Sequence, residues 1–146
     1  MKTDNKLLAR RLLEQAINQR SMDCLSELIS ADCLWQSGDV KGPEGFRHHA
    51  ETMLHVYPDL QVSIDGQVAE DDIVVTWFTA IGTHKGGWQK VPPTHRGLTL
   101  KGVNVQRFRH GQIVEHWGGS NSLEALLEIG VVQWKNSGET NFGSKE

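Results

Sequence analysis

The stretch LTLKGVNVQRFRHGQIVEHWGGS, residues 98–120, decides the fold. β-branched and aromatic residues alternate with polar ones on both sides of His110-Gly111, the pattern of two antiparallel strands joined by a two-residue turn. Antiparallel partners keep a constant index sum, so this turn pairs Arg109 with Gln112, Phe108 with Ile113, Gln106 with Glu115 and Asn104 with Trp117. Those pairs share a face. Phe108, Ile113 and Trp117 are its apolar members, so it is expected to be the inner face and to take Asn104, Gln106 and Glu115 with it. The opposite face holds Val103, Val105, Arg107, Val114 and His116, and its valines predict a second apolar surface suited to a homodimer interface.

Upstream, Leu60, Val62 and Ile64 alternate and DIVVTWFTAIGTH (72–84) is rich in β-formers, which predicts two more strands. A loop with Pro92-Pro93 then leads into the quoted stretch. Before residue 59 the period is helical. Leu8, Leu12, Leu13, Ala16 and Ile17 mark a first helix, and Ser21 offers an N-cap to a second with Leu25, Leu28 and Ile29 on one face. After the brief apolar CLWQ and the Gly38-Asp39 turn, Pro43 opens a third whose buried face is Phe46, Ala50, Met53, Leu54 and Tyr57; Pro58 stops it. Past the last strand, Ser120 or Asn121 caps a short helix that Gly130 ends. Helices gathered before an antiparallel meander predict an α+β layer in which helices cover one sheet face. Gly102, within a strand, is expected to mark a bulge or bend. One domain over residues 1–134 is expected, followed by a polar, aperiodic tail at 135–146.

The chain has 146 residues, 38% hydrophobic and 23% charged, which suits one soluble globular domain large enough to enclose a pocket. No apolar run approaches the roughly 20 residues of a membrane span. The start, MKTDNKLLARRLLEQA, breaks its leucines with charges and contradicts a signal peptide, so the cytoplasm is expected. The net charge is −3 and Lys and Arg are scattered, which argues against nucleic acid. Cys24 and Cys33 have no second pair and read as buried thiols.

The expected inner face, two amides and a carboxylate among aromatic residues, has the composition of a ligand pocket. The bland alternative is that Asn104, Gln106 and Glu115 satisfy one another across the strands while Asn121 only caps a helix. Glu115, desolvated near Trp117, is the candidate general base. His84 is read as a pocket donor or base, or else as a histidine bonded to its loop. His48, His49 and His55 have no neighbouring carboxylate or cysteine pattern and read as exposed helix residues, not metal ligands. Trp35, Trp77 and Trp88 suit core or pocket wall better than catalysis.

GPEGFRHHAETMLHVYPDL, GTHKGGWQKVPPT and FRHGQIVEHWGGSNSLEALLEIGV, in this order and spacing, resemble the SnoaL-like polyketide cyclases, also called ester cyclases, of the nuclear transport factor 2-like superfamily. The resemblance covers about residues 5 to 132. It implies a cone-shaped, cystatin-like α+β barrel, a curved antiparallel sheet wrapped around N-terminal helices, commonly dimeric, with a pocket between. It also implies ring closure of a polyketide by intramolecular aldol condensation, with no metal or organic cofactor. The acid/base aspartate of that chemistry corresponds to Asn121, a frequent histidine after the first short strand to Gln36, and a frequent third-strand aspartate to Asn104. Three usual ionisable positions are therefore amides.

An amide cannot relay a proton, but Asn121 can donate a hydrogen bond to a carbonyl and stabilise an enolate. Three functions stay open. The first is a cofactor-independent enzyme that enolises a small hydrophobic carbonyl compound, as an aldol cyclase, isomerase or dehydratase does; Glu115, Asn121 and His84 would carry catalysis, and Gln36, Asn104, Gln106, Trp117 and Trp35 would contact substrate. The second is a non-catalytic small-molecule-binding module that has lost the acid. The third is a subunit whose outer sheet mediates assembly.

Overall fold

The computed structural model describes residues 4–35, 40–88 and 90–135. In chain order the elements are α1 (Asn5–Leu12), a π-helical continuation (Leu13–Asn18), α2 (Leu25–Leu28), β1 (Ile29–Trp35), α3 (Pro43–Val56), β2 (Gln61–Glu70), β3 (Ile73–Thr83), β4 (Gly97–Arg109), β5 (Gln112–Ser120) and α4 (Ser122–Glu128). The fold is α+β, as expected. The five strands form one sheet in the order β1-β5-β4-β3-β2. β2 to β5 are the predicted antiparallel meander, but β1 lies parallel to β5, so the sheet is mixed and not purely antiparallel. This pairing joins segments about eighty residues apart and leaves no local signature.

The sheet buries the face bearing Val74, Thr76 and Ala80 of β3, Leu98, Leu100, Gln106 and Phe108 of β4, and Ile113 of β5. α1 rests on β2 and β3, α3 on β1 and α4 on β4. The buried stripes predicted for the helices supply the rest of the core, including Leu12, Ala16, Leu25, Leu28, Phe46 and Ala50. The second helix is one turn long and follows Cys24, so the Ser21 cap is not used. Asn18, where the first helix ends, docks on β2 through both ends of its amide. Its Nδ2 donates to Val62 O and its Oδ1 accepts from Val62 N, each at 2.8 Å, which occupies the sheet edge there. Pro43 opens α3 after Gly42, whose φ of +73° a side chain would strain. Cys24 and Cys33 are free and buried, and burial pushes the Cys33 thiol up to about 11.

His110 and Gly111 form the turn with φ of +52° and +77°, the left-handed pair a two-residue hairpin needs. Gly102 does not mark a bulge: it pairs regularly with Phe78, and any side chain there would meet Phe78 Cζ at 2.5 Å. The glycine makes room for a ring. Register breaks fall instead between Ile64 and Gly66 in β2 and between Ile113 and Glu115 in β5.

Candidate functional site

The break in β5 decides what faces inward. Arg109 pairs with Gln112 and Phe108 with Ile113, as the turn dictates, but Arg107 then pairs with Glu115, Gln106 with His116 and Asn104 with Gly118. Val114 is the extra residue of a bulge, and a one-residue shift reverses the face of each residue beyond it. The expected pairs of Gln106 with Glu115 and Asn104 with Trp117 are therefore corrected. Glu115 and Trp117 point to the outer face, Trp117 with 41% of its surface exposed, and His116 points inward. The adjacent apolar residues Ile113 and Val114 interrupt the alternation and are the sequence signal of the break.

The inward His116 joins residues from three other elements. Its ring centroid is 4.7 Å from that of Trp35 in β1, which lies 6.0 Å from Phe46 of α3. Trp35 is held by donating from Nε1 to Gly42 O at 2.7 Å. Gln106, 2% exposed, brings Nε2 to 3.2 Å from His116 Nδ1. Asn104 and Gly118 come next along the same face. A side chain on Gly118 would place its first carbon 2.9 Å from Asn104 Oδ1 and 3.3 Å from His116 Nε2. The missing Cβ makes room for the Asn104 amide, the Val103 carbonyl and the His116 ring, which close over Gly118.

His49 completes the group. It lies one turn after Phe46 and one before Met53 on α3, and it is exposed, as expected. Its surface is solvent-accessible, yet surrounding protein lowers its pKa, and the charge of His48 lowers it further. Burial lowers the His116 pKa to about 4, with a further contribution from His49. Both imidazoles are thus neutral near pH 7. The inward positions of the five strands carry no carboxylate among the described residues.

The other expected site residues do different work. On the outer face Glu115 accepts from Arg107 Nε at 2.6 Å, and Arg107 Nη1 reaches Asp72 at 2.9 Å. These charges border a depression of about 550 Å³ with Asp32, Leu34 and Arg109 on its walls. Asn121 accepts from Lys101 N at 2.8 Å through Oδ1 and donates to Glu124 Oε1 at 3.2 Å through Nδ2. It precedes α4 without a side-chain cap bond and ties the helix start to β4. His84, 3% exposed, accepts at Nδ1 from Thr94 N at 3.1 Å, with Thr94 Oγ1 at 3.0 Å, and anchors the Pro92-Pro93 loop. Gln36 lies outside the described residues. Of the expected contacts, Trp35, Asn104 and Gln106 assemble around His116; Glu115 and Trp117 are across the sheet, and Asn121 and His84 are engaged elsewhere. His116, expected on the outer face, is inward. Among the described residues no group of three or more His, Cys, Asp or Glu could hold a metal ion, and no helix is long and apolar enough to cross a membrane.

The fold, a mixed five-stranded sheet with helices on one face, is shared with known proteins. The family model of SnoaL-like polyketide cyclases matches residues 7–129, and the chain belongs to that family. Among solved structures it is similar to IdmH of Streptomyces antibioticus, provisionally assigned as a polyketide cyclase, with 29% identity over 88% of this chain and 99% of that one and a TM-score of 0.77. AclR of Streptomyces galilaeus, provisionally assigned as a hydroxylase, is 26% identical over 88% of this chain and 82% of that one, also at 0.77. TsrD of Streptomyces laurentii shares the fold at a TM-score of 0.80, with 21% identity over 90% of this chain and all of that one. No curated protein matches the chain.

Proposed function

We propose that the protein enolises a small hydrophobic carbonyl compound without a cofactor, in the manner of an aldol cyclase, and that His49 and His116 take the place of the aspartate the family uses. The observation that carries this reading is the inward His116 of β5, set between Trp35 and Gln106, with its pKa lowered by burial and by His49 of α3. A neutral imidazole serves both halves of the step: its free nitrogen takes a proton and its N–H polarises a carbonyl. In the step, a C–H bond next to the carbonyl breaks, its proton passes to one imidazole, and its electron pair forms the enolate, whose oxygen accepts a hydrogen bond from the other. The enolate carbon then adds to a second carbonyl of the same molecule, whose oxygen gains the proton. Trp35 and Phe46 supply an apolar wall.

The test is deuterium exchange at the α-carbon of aromatic β-keto esters, followed by NMR. Exchange above the buffer rate that falls on the order of 10²-fold in His49→Ala and in His116→Ala supports the reading. Exchange at the buffer rate throughout, with ligands still quenching Trp35 fluorescence, makes the protein a binding module instead. That alternative is favoured by one observation: Asn121 has both ends of its amide occupied by Lys101 and Glu124.

A second copy is proposed to cover the outer sheet face. Val75, Val105 and Trp117 form one outward row across β3, β4 and β5, and Trp77 and Val103 another. Arg107 beside them is neutralised by Asp72 and Glu115, so two copies of this patch meet without an unpaired cation.

A further inference from the structure

We infer that Phe78 is a specificity-determining residue: its ring, laid over Gly102, is the floor of the ligand site and sets how many fused rings the site accepts. The inference rests on the reading that the inner face receives a neutral carbonyl compound, and it names what limits the size of that compound. Phe78 of β3 pairs with Gly102 of β4, and both lie on the inward side with Val74 and Gln106. A Cβ at Gly102 would meet Phe78 Cζ at 2.5 Å, Cε1 at 2.8 Å and Cε2 at 3.1 Å. The tip of the ring therefore occupies the place that any side chain at 102 would need, so the ring leans along the sheet instead of rising from it. Asn104 leans the same way, with Oδ1 2.9 Å from where a Cβ of Gly118 would be. Each side chain lies one strand over, on a glycine.

The accessible part of the inner face coincides with this pair of glycines. Along β3 and β4 the inward residues to either side are buried, Val74, Thr76 and Gln106 toward the hairpin and Ala80, Leu98 and Leu100 toward the other end, whereas Phe78, Gly102 and Asn104 between them are half-buried. The floor is covered at both ends and open in the middle. Ile64, which pairs with Phe78, is also apolar and half-buried, as are Met53 of α3 and Leu126 of α4. None of these side chains is ionisable, so a charged ligand would lose its hydration without gaining a counter-charge, and the ligand that fits is neutral and largely apolar, with Asn104 as its polar contact. Beyond Asn104 the floor runs on to the His116 ring, whose Nε2 is 3.3 Å from the same Cβ position over Gly118. Size then follows from Phe78. A ring standing off the sheet would fill the opening, a ring lying down leaves it free, and no ring at all deepens it.

Equilibrium dialysis with the neutral probes 2-acetylnaphthalene and 2-acetylanthracene reads the size limit without any turnover. Phe78→Ala is expected to raise the affinity for the anthracene relative to the naphthalene by roughly tenfold, as added room in an apolar pocket does. Gly102→Ala, which drives the ring off the sheet, should weaken both probes by roughly tenfold in the wild-type background and change neither in the Phe78→Ala background, where the new Cβ meets no ring. Phe78→Leu, which fills part of the same space, should give an intermediate ratio, and it carries the test if Gly102→Ala fails to fold. A ratio left unchanged by Phe78→Ala and Phe78→Leu overturns the inference. So does a Gly102→Ala loss of equal size in both backgrounds, and so does a wild-type protein that binds neither probe. The enolisation reading is judged separately: a shifted ratio with α-carbon exchange at the buffer rate keeps the role of Phe78 and removes the chemistry, whereas exchange above that rate with an unshifted ratio removes the role of Phe78 alone.

Discussion

Glu115 and His116, neighbours in the chain, face opposite sides of the sheet: the carboxylate accepts from Arg107 at 2.6 Å on the outside, and the imidazole lies tilted against Trp35 on the inside, ring centroids 4.7 Å apart. Alternation alone requires that two adjacent residues be divided. Val114 decides which of them is inside.

Substituting Glu115 should therefore leave the interior untouched. Glu115→Gln is expected to keep ligand binding and any turnover at the wild-type level and to cost at most about 1 kcal/mol, the usual worth of an accessible ion pair. Steady-state kinetics and urea unfolding measure both. A loss of turnover on the order of 10²-fold would return the role of base to Glu115.

Acid should loosen the fold through His116. Its folded pKa of about 4 lies below the ordinary 6.5, so the unfolded chain takes up a proton that the folded one resists. The contribution to stability is complete above about pH 6.5 and is lost as the pH falls toward about 4. At pH 4.5 the loss is about 2–3 kcal/mol. Urea unfolding at pH 7 and pH 4.5 should show a clearly smaller acid loss for His116→Gln than for wild type; equal losses would show that the ring does not titrate as described.

Asn121 has both ends of its amide bonded. Asn121→Asp keeps the acceptor for Lys101 N but sets its other oxygen against Glu124, which the amide now reaches at 3.2 Å. The substitution is expected to be about 1 kcal/mol less costly in a Glu124→Gln background than in wild type. A double-mutant cycle by thermal unfolding measures this, and additive effects would mean the two side chains do not interact.

The outer face should hold two copies together. Sedimentation is expected to give twice the 16.3 kDa of one chain, and Trp117→Lys, which puts a cation at an outward residue now 41% exposed, should return the single-chain mass. A monomer in wild type at micromolar concentration refutes the interface.

The sequence made the hairpin, the meander and the start of α3 legible because each rests on local chemistry: a left-handed turn pair, a period of two, a proline at the first helical position. What it hid was non-local or one residue deep. The pairing of β1 with β5 leaves no local mark. The face of β5 was misassigned because a constant index sum assumes an unbroken ladder, and the Ile113-Val114 doublet that breaks it was read as part of the alternation. The alternation puts Asn104 and Gln106 on the correct side because β4 itself is regular.

A bulge is an insertion that the ladder has absorbed. If Val114 is removed, Phe108 still faces Ile113, Arg107 still faces Glu115 and Gln106 still faces His116, so a chain shorter by this one codon would keep the same pocket floor. Any relative lacking that residue has to be aligned with a gap at 114. Without the gap, the two faces of the sheet change places, and an inward imidazole is compared with an outward carboxylate.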